Sequence, residues 1–126
     1  MSSPIRLISP PCLLATIALL AAAPGGAAAA ALKPCSIRGK EQKLGATYVT
    51  TLKVRGASCA AGQRVVKAFQ SCRRAKGVNG HCTRKVLKYA CSEKRPADET
   101  IPTQFTGHVT CKRASRRVAF VYQQNT

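Results

Sequence analysis

The stretch Cys59–Cys111, CAAGQRVVKAFQSCRRAKGVNGHCTRKVLKYACSEKRPADETIPTQFTGHVTC, holds five of the chain's seven cysteines and decides how the rest is read. Its first part is helical. Ser58 supplies an N-cap, and Ala61, Val65, Ala68, Phe69 and Cys72 then recur at the spacing of one apolar helix face. Arg64, Lys67, Ser71 and Arg74 fall on the opposite side. The helix is expected to stop before Gly77, where Gly77-Val78-Asn79-Gly80 makes a turn. Val86 to Lys94 then alternates as a strand, with Leu87, Tyr89 and Cys91 on one side.

Outward toward the C-terminus, Arg95 to Thr103 holds Pro96 and Pro102 and reads as a loop. Gln104–Arg113 and Arg116–Gln124 form the clearest hairpin. With the turn centred on Ala114 and Ser115, Cys111 faces Val118, Val109 faces Phe120 and Gly107 faces Tyr122, an apolar set on one face. Thr106, His108, Thr110 and Lys112 then point the other way. Toward the N-terminus, Ala46 to Arg55 is β-branched and apolar and ends at Gly56, with Thr50, Leu52 and Val54 expected on one face. The order strand-helix-strand-strand-strand implies an α+β domain over 46–126, one helix packed on a small antiparallel sheet. Residues 32–45 lack a period and read as an irregular basic arm, tied down if Cys35 is bonded.

Residues 1–31 have the form of a signal peptide: Arg6 as the positive segment, Leu13 to Ala23 as the apolar one, and small residues ending near Ala31. The apolar core is interrupted by Pro24, Gly25 and Gly26, too soon for a membrane span of roughly 20 residues. Leu32, Lys33 and Pro34 before Cys35 lack the small residues of a lipoprotein site. Cleavage removes Cys12 and Arg6 and no acid, so the 95 residues from Leu32 carry 20 Lys or Arg against Glu41, Glu93, Asp98 and Glu99, a formal charge of +16. A domain of that size builds one modest core. Six cysteines remain, Cys35, Cys59, Cys72, Cys82, Cys91 and Cys111, and on an exported chain they imply three disulfides. Cys72 and Cys82 flank one turn and are the expected pair; Cys59 is expected to reach Cys111 or Cys91 and stitch helix to sheet.

The segments GASCAAGQRVVKAF, VLKYACSEKR and IPTQFTGHVTCKRASRRVAFVYQQ resemble small cysteine-containing secreted proteins of actinobacteria that are uncharacterised. The likeness runs from about Ala46 to Gln124, and its most specific part is the closing strand, basic turn and apolar strand. It implies export and one disulfide-held domain, and it carries over no site residues.

Metal and redox chemistry are poorly served. Between successive mature cysteines lie 23, 12, 9, 8 and 19 residues, none the short spacing of a zinc knuckle or a C-x-x-C pair, so no metal or cofactor is expected. His81 and His108 are the only histidines. With Glu93 and a lysine they offer an acid–base set for RNA cleavage, the remote alternative of a small basic ribonuclease; two exposed titrating side chains are the simpler description. A non-enzymatic monomer is therefore expected. Its charge points to an extracellular polyanion, whether cell-wall polymer, nucleic acid or anionic lipid surface. Two clusters concentrate it: Arg64, Lys67 and Arg74 on the helix, and Lys112, Arg113, Arg116 and Arg117 at the hairpin turn. Trp is absent and the aromatic residues mostly sit on apolar stripes, which leaves no stacking platform for single strands. The alternative class is a protein-binding or inhibitor module presenting the Arg95–Thr103 loop. A membrane-active peptide is disfavoured because the helix commits its apolar face to the core.

Overall fold

A computed structural model describes residues 30–126; the signal-like segment therefore lies, except for its last two residues, outside the described part. In chain order the elements are β1 (Lys33–Pro34), β2 (Tyr48–Arg55), α1 (Cys59–Arg74), β3 (Ala90–Lys94), a 3-10 turn (Ala97–Glu99), β4 (Thr100–Ile101), β5 (Gln104–Arg113) and β6 (Arg116–Asn125). All pairings are antiparallel. The sheet runs β1-β2-β6-β5-β3, with β4 also on β5, and α1 packs on one face against β2 and β6. This is the α+β architecture expected, with two short strands added.

The hairpin forms in the register that alternation dictates: Cys111 opposite Val118, Val109 opposite Phe120, Gly107 opposite Tyr122. Its apolar face meets Val65, Val66 and Phe69 of α1, and Phe69 stands edge-on to Phe120 with ring centres 5.5 Å apart. α1 begins where the Ala61 N–H donates to Ser58 Oγ at 3.1 Å. It lies close to β2 because position 62 is glycine: a Cβ there would come within 2.6 Å of Val54 Cγ1.

The structure departs from the expected reading in four places. In β2, Val49, Leu52 and Val54 are buried while Thr50 is exposed, because a bulge between Val49 and Thr51 shifts the alternation by one. The expected strand Val86–Lys94 starts only at Ala90. Val86 and Tyr89 instead close a tight turn through 3.0 and 2.8 Å backbone hydrogen bonds, with Leu87 and Lys88 both left-handed (φ 47° and 66°). That turn buries Val86 and Tyr89 and leaves Leu87 exposed. Residues 32–45 are irregular but no separate arm: Cys35, Ile37 and Leu44 are buried in the common core, and Pro34 and Lys33 pair with β2. Arg95–Thr103 is shaped by the 3-10 turn and by β4, which folds back on β5.

Three disulfides hold these pieces. Cys72–Cys82 ties the end of α1 to the following turn as the sequence suggests. Cys59, however, bonds Cys35 and not Cys111 or Cys91; those two bond each other across directly paired positions of β3 and β5. Cys59 opens α1 at the end of β2 where β1 runs alongside, so the nearest sulfur belongs to the N-terminal segment and not to the far side of the sheet. Bridges with sequence separations of 24, 10 and 20 fasten the N-terminal segment, the helix end and the edge strand β3. In the loop-closure picture each such bridge contributes about 3 kcal/mol. Three disulfides are compatible with an extracellular protein.

Candidate polyanion interface

The two faces of the sheet are treated differently. Directly paired residues of neighbouring strands project to the same side. The set containing Val54, Val118 and Cys111 lies under α1, so the next rank, Arg55, Arg117 and Lys112, projects to the face without a helix. These three sit opposite one another on β2, β6 and β5. With adjacent strands roughly 4.8 Å apart, the row crosses roughly 10 Å of sheet. One step nearer the turn, Arg113 faces Arg116. Two steps further in, Lys53, Ala119, Thr110 and Ser92 form another rank on the open face.

The four ranks nearest the β5–β6 turn thus carry Lys33, Lys53, Arg55, Lys112, Arg113, Arg116 and Arg117 and no acidic residue. Among the described residues none of these seven joins an ion pair. Arg117 Nη1 donates to the turn carbonyls of Ala114 (2.8 Å) and Arg116 (2.9 Å), which directs it back along the hairpin end. Like charges directly opposite across strands cost stability, roughly 0.2–1 kcal/mol per pair. The fold tolerates that cost twice in a single row.

Beyond the row, the open face is lined by small or β-branched side chains. Thr51, Lys53, His108, Thr110, Ala119 and Val121, with Leu32 at the rim, surround a shallow depression of about 220 Å³. Its far end changes sign: Glu99 from the 3-10 turn reaches His108, Oε2 to Nε2 2.7 Å, with Asp98 beside it. The open face therefore runs from a cationic hairpin end to an acidic loop end.

The sequence-derived clusters are separated by this geometry. Lys112, Arg113, Arg116 and Arg117 come together at the turn, joined by Arg55 and Lys53, which sequence reasoning does not single out. Their signal lies in the register: once β2 pairs β6, Arg55 must face Arg117. Arg64, Lys67 and Arg74 are exposed on the outer side of α1, across the sheet from the row, and Arg74 turns aside to donate to the Gly45 carbonyl at 3.1 Å.

The two histidines are also kept apart. His108 belongs to the open face. His81 lies on the helix side, its Nδ1 3.0 Å from Oε2 of Glu93, whose strand partner is the buried Val109. Glu93 is the centre of a buried network: Tyr122 donates its hydroxyl to Oε1, and Arg95 Nη2 reaches Oε2 at 3.1 Å. Burial first, and then the hydrogen bond to Glu93, push the Tyr122 phenol well above the ordinary tyrosine value.

Arg73 is missed by sequence reasoning altogether. It is wholly buried, with its guanidinium 4.9 Å from the Tyr122 ring centre, and it donates to Gln70 Oε1 (2.8 Å), Val78 O (2.6 Å) and Gln124 Oε1 (2.7 Å). Desolvation holds its pKa below the usual arginine value, opposed by the nearby Tyr122 and Glu93. The clue is positional, since Arg73 follows Gly62, Val66 and Phe69 on the helix stripe that meets the sheet.

Comparison with protein-family models, curated proteins and solved structures found no match for this chain. Among the described residues no group of three His, Cys, Asp or Glu side chains is arranged to hold a metal ion, and no helix is long and apolar enough to cross a membrane.

Proposed function

We propose that this is an exported, non-enzymatic domain that binds a linear extracellular polyanion, such as a wall polymer or nucleic acid, across the hairpin end of its open sheet face. The observation that carries this reading is the row Arg55–Arg117–Lys112, flanked by Arg113, Arg116 and Lys53, with no carboxylate in the four ranks nearest the turn. Two adjacent like-charge pairs destabilise a free sheet, and an anionic chain laid over them removes that repulsion while releasing its own counterions. The reading of residues 1–31 as a signal peptide and the three disulfides support export, as does the resemblance to secreted actinobacterial proteins.

The test is a titration of the mature domain with a fluorescent single-stranded oligonucleotide and with inorganic polyphosphate over about 50–200 mM salt. Binding should weaken steeply with salt. Arg55→Ala/Lys112→Ala/Arg117→Ala should reduce the log–log salt slope by roughly 2–3, at roughly 0.7–0.9 for each phosphate that the variant no longer neutralises. Arg64→Ala/Lys67→Ala/Arg74→Ala, which removes the same charge from the helix, should change the slope far less. Equal losses in the two triple variants would mean that net charge alone binds and that the sheet face is no interface. A protein-binding module, by contrast, would capture its partner through Arg95–Thr103 with little salt dependence.

A further inference from the structure

A hollow lies away from the cationic row, between the loop that follows α1, the segment after β3 and the start of β5. Asn79, His81, Arg95, Ala97, Thr100 and Phe105 line an open hollow of about 520 Å³. The only ionisable side chains in this wall are an arginine and a histidine, and both are held in place from behind. Arg95 lies over Phe105, its guanidinium carbon 4.0 Å from the ring centre. Its Nη1 donates to Asn79 O at 2.9 Å, and its Nη2 to Gly80 O at 2.7 Å and Glu93 Oε2 at 3.1 Å. The buried Nε–H has no partner among the described residues. A buried N–H of a charged group without an acceptor is costly, and such groups in folded proteins are commonly met by a bound water or ion.

His81 is oriented in the same way. Nδ1 carries the proton that meets Glu93, which leaves Nε2 as the outward nitrogen of a side chain that is 62 % exposed, and Nε2 donates to a ligand only in the imidazolium form. The charge behind the wall is unbalanced. Two guanidinium groups, Arg73 and Arg95, surround one carboxylate, Glu93, and the hydrogen bonds of Arg73 all go to neutral oxygens. Both Glu93 oxygens are already engaged, by Tyr122, His81 and Arg95. The residual charge of the cluster is therefore positive, and its unengaged donors are the Arg95 Nε–H, buried within the wall, and the Nε2–H of a protonated His81 at the surface. Phe105 and Ala97 add an apolar wall beside them.

We infer that this hollow is a seat for a small oxyanion, a phosphate or carboxylate group, held between the Arg95 guanidinium and the Nε2–H of the His81 imidazolium, with its organic part against Phe105 and Ala97. A compact anion of this kind complements the excess positive charge, and the planar guanidinium is already immobilised, so little side-chain freedom is lost on binding. Glu93 is the positioning residue: it fixes the Arg95 fork and the ring of His81 and is itself shielded from the ligand by them. The seat stands independently of the polyanion interface, since none of its lining residues belongs to the hairpin end.

The probes are inorganic phosphate and acetate, titrated separately into the mature domain at constant ionic strength with chloride as the reference anion, and followed by amide and side-chain nuclear magnetic resonance. The expected result is a saturable shift confined to Asn79–His81 and Arg95–Thr100, with the Arg95 Nε–H moving most, for phosphate, acetate or both. His81→Ala, at an exposed position, should weaken that binding about tenfold while leaving the chain folded. Arg55→Ala/Lys112→Ala/Arg117→Ala should leave it unchanged. Shifts confined to the hairpin end, shifts that do not saturate or are matched by chloride, or a His81→Ala domain that binds as tightly as its parent would each overturn the assignment. Failure of the oligonucleotide to bind, with these shifts intact, would instead count against the polyanion reading alone.

Discussion

The covered and open faces of one sheet handle positive charge in opposite ways. Under α1, Arg73 is buried but each of its three nitrogens donates to an oxygen, and the neighbouring Arg95 has Glu93. On the open side, Arg55, Arg117 and Lys112 face one another and join no ion pair among the described residues, with only backbone carbonyls, of Ala30 for Arg55 and of Ala114 and Arg116 for Arg117, as hydrogen-bond partners. The fold engages most of the donors of its interior cations, leaving the Arg95 Nε–H as the exception, whereas the cations of the uncovered row have no carboxylate partner among the described residues. The first arrangement serves stability; the second is the one proposed to meet a polyanion.

The largest expected effect comes from breaking the covered face. Gly107 lies under Tyr122; a Cβ there would stand 2.3 Å from the ring and 2.9 Å from Glu93 Oε1. Gly107→Ala should therefore push Tyr122 and Glu93 apart and cost about 3 kcal/mol, read from chemical denaturation, while the hairpin-end cations are untouched. A loss below about 0.5 kcal/mol would show that the network is loosely packed.

Next in size is the response to alkali. Tyr122 has a folded-state pKa raised above that of the unfolded chain, by burial and by Glu93. The stability it contributes is complete below the unfolded value of about 10 and is lost as pH rises through the folded one. The parent should lose stability more steeply above about pH 10 than Tyr122→Phe, which has no phenol to ionise there. Below that pH the variant should be weaker by about 1–2 kcal/mol for the missing hydrogen bond to Glu93. Parallel curves for the two proteins above about pH 10 would refute the buried, hydrogen-bonded phenol.

The smallest stability effect has the opposite sign and belongs to the open face. Lys112→Glu sets a carboxylate opposite Arg117 and should stabilise the domain by a few tenths of a kcal/mol. The same change should weaken polyanion binding more than loss of one helix charge in Arg64→Ala. A variant that is both more stable and poorer at binding separates the two faces; one that is destabilised would show that the cationic row repels less than its register implies.

Much of the fold is legible in the residues alone. The hairpin register follows from alternation between Gly107 and Tyr122, because a slip of one residue would turn Val109, Phe120 and Val118 out to water. Ser58 and the Val65–Phe69–Cys72 spacing locate α1 within a residue or two of its ends. Cys72 and Cys82 are a natural pair because a single turn separates them. Local rules fail where distant segments decide. Leu87 and Lys88 carry no turn signature, yet the burial of Val86 and Tyr89 on either side holds them left-handed. Val49 displaces Thr50 from the core only because β6 pairs across the bulge. The partner of Cys59 follows only once β1 is known to run beside the end of β2.

By itself, then, the amino-acid order set the element types, the hairpin register and an overwhelming positive charge, since all three depend on spacing along the chain or on composition. Tertiary structure alone decided which cations meet. Arg55 is 62 residues from Arg117 and adjoins it only through the β2–β6 pairing, and Arg73 becomes an interior charge only because β6 brings Tyr122 and Gln124 to it. Contacts between segments far apart in sequence are chosen by the packing of the whole core, and no local pattern records that choice.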